Sequence, residues 1–143
     1  MKRFYRYLIW FNLSIVAFAA QSATDKLVWT PIAKQVCDKL AQASQLYSQG
    51  NTLKAKEAAY LEAYFKLYDP VLEVGTRFAT SQQHVVAIEN QFRALKTAMV
   101  PQPKESDKHN VQKISQQLCQ AISQDAKALD DQHLPLDVYG TGQ

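Results

Sequence analysis

Thr30-Pro31-Ile32-Ala33-Lys34-Gln35-Val36-Cys37-Asp38-Lys39-Leu40-Ala41-Gln42-Ala43-Ser44-Gln45-Leu46-Tyr47-Ser48-Gln49-Gly50-Asn51 reads as a helix with its start, its buried stripe and its stop. Thr30 can accept from the free amides of a first turn, and Pro31 at the first helical position loses no hydrogen bond there. Ile32, Val36, Leu40, Ala43 and Tyr47 recur at steps of three and four, which places them on one face. Gly50 supplies the left-handed residue on which such helices end. The spacing therefore predicts a helix over residues 31–49 whose apolar face must be buried against something.

Downstream the same pattern repeats. Asn51 is placed to cap a second helix carrying Ala55, Ala58, Leu61, Phe65 and Tyr68 on one face. Pro70 cannot continue an α ladder, so this helix is expected to end or kink near Asp69. A short helix capped by Asp69 and loosened by Gly75 should follow. Ser81 opens a third helix with Val85, Ile88, Phe92, Leu95 and Met99 in its stripe. After the proline-rich loop from Val100 to Asp107, Ser106 or Asp107 opens a fourth, with Val111, Ile114, Leu118, Ile122 and Leu129, ending near His133 and Pro135. No strand pattern or hairpin turn intervenes. The expected fold is all-α: an antiparallel up-down-up-down four-helix bundle with a short kinked helix after the second helix.

At the amino terminus Lys2, Arg3 and Arg6 precede an apolar run from Leu8 to Ala20 and then Gln21, Ser22 and Ala23. This is the order of a cleavable secretory signal, with cleavage expected after Ala19 or Ser22. The run is shorter than the roughly 20 apolar residues of a membrane span. The expected organisation is a signal peptide at 1–23, a bundle domain at 24–133 and a flexible tail at 134–143, in a protein delivered to the periplasm. The chain's formal charge of +3 is carried by the signal's three basic residues, leaving a neutral remainder. No basic cluster remains, so nucleic acid is not an expected partner.

Two cysteines, Cys37 and Cys119, fall in a chain addressed to an oxidising compartment, so a disulfide between them is expected. Closing a loop of roughly 80 residues stabilises by roughly 4 kcal/mol in the chain-entropy account. In an up-down bundle the first and fourth helices are neighbours and the two positions have similar heights, which agrees with a bridge. Two buried thiols are the alternative.

Catalytic motifs are lacking. There is no Cys-x-x-Cys-His for covalent haem, no paired Glu-x-x-His for a di-iron site, no His-Glu-x-x-His and no Gly-x-Ser-x-Gly. The chain is not expected to be an enzyme. His84, His109 and His133 all fall near helix ends, where solvated roles are usual. The remaining chemistry is a sparse acidic series, Glu62, Asp69, Glu73 and Glu89, set among aromatic residues including Tyr47, Tyr60, Tyr64 and Tyr68. Carboxylates and phenolates suit hard cations such as ferric iron. The competing reading makes Asp69 a cap, pairs the glutamates with lysines and has the tyrosines pack.

The run Leu40-Ala41-Gln42-Ala43-Ser44-Gln45-Leu46-Tyr47-Ser48-Gln49-Gly50-Asn51, then Ala63-Tyr64-Phe65-Lys66-Leu67-Tyr68-Asp69-Pro70-Val71-Leu72-Glu73 and Ile88-Glu89-Asn90-Gln91-Phe92-Arg93-Ala94-Leu95-Lys96, resembles the exported helical segment preceding the membrane part of bacterial high-affinity ferric-type iron permeases. The family's Phe-Glu pair is Tyr68-Asp69 here, and its transmembrane Arg-Glu-x-x-Glu helices do not occur in this sequence. The resemblance implies a non-enzymatic accessory protein in iron uptake, with iron as the possible cofactor, Glu62, Asp69, Glu73 and Glu89 as metal ligands, and a membrane iron permease or other envelope protein as partner. A structural or protein-interaction bundle with no metal role is the alternative from the residues alone. A chaperone-like or inhibitory protein, which would display a groove between helices, is a third.

Overall fold

A computed structural model describes residues 27–136. The expected signal segment and the tail beyond residue 136 lie outside the described residues. Among those described there is no strand, and the helices assemble as a bundle of four. No described helix is long and apolar enough to cross a membrane.

The first helix, α1, spans Thr30–Ser48 and ends as its sequence dictates. Gly50 has φ +82°, and the amides of Gly50 and Asn51 return to Tyr47 O and Leu46 O at 2.9 Å each, closing the turn with the paired bonds of a glycine-terminated helix. Its start differs from expectation. Trp29 holds the cap position without a capping side chain, and the free amides are satisfied from the far end of the chain. Asp130 Oδ1 accepts from the amides of Val28 (2.7 Å) and Trp29 (2.9 Å), while Oδ2 accepts from the Thr30 amide (2.9 Å) and hydroxyl (2.6 Å). A carboxylate at a helix amino terminus answers both the orphan donors and the positive end of the helix dipole. Thr30 is thus a donor to the cap rather than the cap.

The second helix corrects the expectation of a kink and a separate short helix. The α-helical turn α2 (Thr52–Lys56) runs into a π-helical stretch, Glu57–Leu72, and then into α3 (Glu73–Ala79) without interruption. Pro70 lies inside the π stretch. Its missing amide and its ring are incompatible with an α turn, whereas i→i+5 bonding gives a wider turn that passes it. The Glu73 amide still donates five residues back, to Tyr68 O, as α3 begins. Asp69 is therefore not a cap. The wider winding also changes which residues face inward. Ala55, Ala59, Ala63, Tyr68 and Leu72 are buried at steps of four and five, while Leu61 and Phe65 are 49% and 48% exposed.

The third and fourth helices are α4 (Gln82–Ala98) and α5 (Glu105–Asp131). Ser81 caps α4 by accepting from the His84 amide at 3.1 Å. The fourth helix starts slightly earlier than expected, and Asp107 Oδ2 accepts from the Lys104 amide at 2.8 Å. The α4 stripe is buried throughout, and in α5 Val111, Leu118, Ile122 and Leu129 are buried with Ile114 at the margin.

Helix α1 packs on α5 and on the second helix, and α4 packs on the same two. At one end the Trp29 ring lies where Gly75 has no side chain; a Cβ on Gly75 would stand 2.7 Å from Trp29 Cη2 and 3.1 Å from Leu129 Cδ1. Gly75 permits close packing instead of loosening the helix. Trp29 Nε1 donates to Leu134 O at 2.6 Å, and Leu134 and Leu136 pack on the core, so the expected tail begins with anchored residues. At the other end the buried Tyr47 hydroxyl donates to Ala98 O (3.2 Å) and accepts from the Val100 amide (3.0 Å), fixing the turn between α4 and α5. Between these ends the Cys37–Cys119 disulfide joins α1 to α5 with its Cα atoms 5.0 Å apart.

Candidate functional site

The π stretch brings four aromatic residues into one run. Tyr60 stacks on Tyr64 with centroids 5.3 Å apart, and Tyr64 stacks on Tyr68 at 6.1 Å. Phe65 meets the rings of Tyr60 (4.9 Å) and Tyr64 (5.0 Å) edge-on, and Phe92 of α4 receives Tyr64 (4.9 Å) and Tyr68 (5.4 Å) from the other side. Contacts of this kind add to area burial and stiffen the arrangement. The ladder grades from the buried Tyr68 and Phe92 to the half-exposed Phe65, with Lys96 Nζ 4.1 Å above the Tyr60 ring.

Three of the four expected ligand acids gather beside this ladder. Burial pushes the Glu73 carboxyl above the ordinary glutamate range, and the charges of Asp69 and Glu89 push the same way while Arg77 opposes them. Burial raises the Tyr64 phenol to about 12, with Glu89, Asp69 and Glu73 adding to the shift. Burial likewise raises Tyr68, with Asp125 as the next cause. Both phenols are therefore protonated at neutral pH. Tyr68 Oη, Glu73 Oε2 and Thr76 Oγ1 are buried and have no hydrogen-bond partner among the described residues. Glu73 Oε1 accepts from Arg77, and Glu89 faces Arg93 at 3.5 Å.

Glu62 stands apart. It pairs with Lys66, whose hydrogen bond holds its pKa below the ordinary value, and borders a shallow hollow shared with Gln35 and Lys39 of α1. Glu62 and Asp69, seven residues apart, would share a face in an α-helix, and the π winding of Glu57–Leu72 separates them. Among the described residues no three His, Cys, Asp or Glu side chains form a group that could hold a metal ion.

The sequence reading missed a second polar cluster. His84 Nε2 lies 2.9 Å from both carboxylate oxygens of Asp125, so this residue of the first turn of α4, its side chain 39% exposed, also links α4 to α5. Burial raises the Asp125 pKa against the opposing effect of His84. The available signal was positional: Asp125 follows Ile122 by three and Leu118 by seven, which places it on the buried stripe.

Compared with known proteins, the chain matches no family model, no curated protein and no solved structure.

Proposed function

We propose that this chain is a non-enzymatic accessory protein of the cell envelope, an up-down-up-down antiparallel bundle that works by docking a hydrophobic segment of a membrane-bound partner protein on the outer aromatic face of its second helix. The observation that carries the reading is the half-exposure of Leu61 and of Phe65, the latter within a ladder of contacting rings. A rigid apolar and aromatic surface edged by polar groups is the usual chemistry of a protein-binding hot spot. The antiparallel order is supported by the contacts of Trp29 with Gly75, of Ser44 with Ser115, and of His84 with Asp125, each joining an early part of one helix to a late part of its neighbour. The Cys37–Cys119 bridge supports an oxidising compartment.

The test is co-sedimentation of the oxidised protein, beginning at residue 24, with inner-membrane vesicles from the producing cell. Saturable binding that Leu61→Ser/Phe65→Ser and protease treatment of the vesicles both abolish supports docking on a membrane protein. Binding that survives either treatment contradicts it.

Iron association is the second reading, favoured by the mutual electrostatic reach of Asp69, Glu73 and Glu89 beside Tyr64. The pairing of Glu73 and Glu89 with arginines weighs against it. A rise in melting temperature with ferric citrate that Glu73→Ala/Glu89→Ala loses would favour iron, by stabilisation of the folded state through binding. No rise would leave docking alone.

A further inference from the structure

Between α1 and α5 runs an open groove of 720 Å³, within the size range of ligand sites. Its floor is formed by the Cys37–Cys119 bridge, Ala41 and the Ser44–Ser115 hydrogen bond of 3.0 Å. Along the α5 wall stand Gln112, Gln116 and Gln120, all exposed. Residues four apart on a helix lie one above another, about 6 Å apart along its axis. No other described residue engages the side-chain amides of these glutamines. Each therefore offers one acceptor and two donors to the groove.

The groove's charges cancel. Glu105 and Lys108, at its end, pair with each other at 2.6 Å, and His109 is the remaining ionisable group lining it. An occupant with net charge would find no unpaired counter-charge among the groove's carboxylates and ammonium groups. The spacing of the amides narrows the choice further. An extended polypeptide presents equivalent backbone groups on one side every second residue, about 6.6–6.8 Å apart, close to the step between successive glutamines. The wall from Gln112 to Gln120 is about 12 Å long, enough for roughly four extended residues.

We propose that the α1–α5 groove binds an extended, uncharged polypeptide segment, with Gln112, Gln116 and Gln120 hydrogen-bonding to its backbone and alternate side chains resting on the disulfide and Ala41. The site is independent of the aromatic face of the second helix. Because it reads backbone, it accepts many sequences and rejects charged ones.

Fluorescence anisotropy with a labelled, end-capped Ala-Thr octapeptide and the oxidised protein tests this. Saturable binding is expected. It should weaken about tenfold in Gln112→Ala/Gln116→Ala, on N-methylation of alternate peptide amides, and when the threonines are replaced by glutamate or lysine. Binding should be unchanged in Leu61→Ser/Phe65→Ser, which separates this groove from the docking face. Both glutamines are exposed, and an unchanged thermal melt verifies the variant's fold. Absence of saturable binding, equal affinity for the N-methylated or charged peptides, or an unaffected glutamine variant would overturn the proposal.

Discussion

Three backbone amides and a hydroxyl converge on the Asp130 carboxylate, so Asp130→Asn leaves donors at the start of α1 without a charged acceptor. The expected cost is about 2–4 kcal/mol, read by denaturant unfolding at pH 7. Burial raises the pKa of this group, but the bonds from Thr30, Trp29 and Val28 outweigh that, and the net value lies below the ordinary 3.8. A depressed carboxylate stabilises the fold above the unfolded-state pKa and ceases to do so as pH falls through the folded value. The gap between wild type and Asp130→Asn should accordingly close as pH is lowered below 3.8. Glu73 has the opposite sign. Its carboxyl is raised by burial and by Asp69 and Glu89, so its ionisation opposes folding as pH rises through the folded value. Relative to wild type, Glu73→Gln should become more stable at pH 7 than at pH 4, and a difference independent of pH would refute the assignment. Gly75→Ala would push a methyl into the Trp29 ring. Overpacking of this kind costs about 1–3 kcal/mol and outweighs the helix-propensity gain. Pairing it with Trp29→Phe should recover part of the loss, measured as non-additivity in melting.

The second helix is the element where local winding decides the surface. Regular α spacing puts Leu61 and Phe65 in the core; the π stretch puts Ala63 there, fully buried, and leaves the other two half outside. Ala63→Leu should therefore destabilise by about 1–3 kcal/mol, while Leu61→Ser costs under about 1 kcal/mol. The reverse ranking from chemical denaturation would restore α geometry. This element also marks where the sequence ceased to be legible. Stripes, capping serine and terminating glycine are local signals, and α1, α4 and α5 follow them. Pro70 signalled a departure from α geometry, but not whether the chain would break or widen, because that depends on what Tyr64, Tyr68 and Leu72 pack against. Of the acidic series, Asp69, Glu73 and Glu89 do gather, whereas Glu62 was placed by a period the helix does not keep. Asp130 and Trp29 were illegible for another reason: each completes an element at the opposite end of the chain.

At the scale of the whole molecule the helices are tied at both ends and between them. Trp29, Gly75, Leu129, Asp130 and Leu134 close one end, and Tyr47 fastens the turn at the other. The disulfide spans a sequence separation of 82 residues, a closure that contributes roughly 4 kcal/mol. Such a scaffold holds the outer aromatic face in one geometry, so little ordering cost would accompany the proposed docking there. The most direct measurement of that role is photo-cross-linking in living cells with a photoreactive residue at position 65, compared with the exposed position 113 of α5. The docking account predicts one discrete adduct to a membrane protein from position 65 and none from 113. No adduct at 65, or the same adduct from both positions, would contradict it.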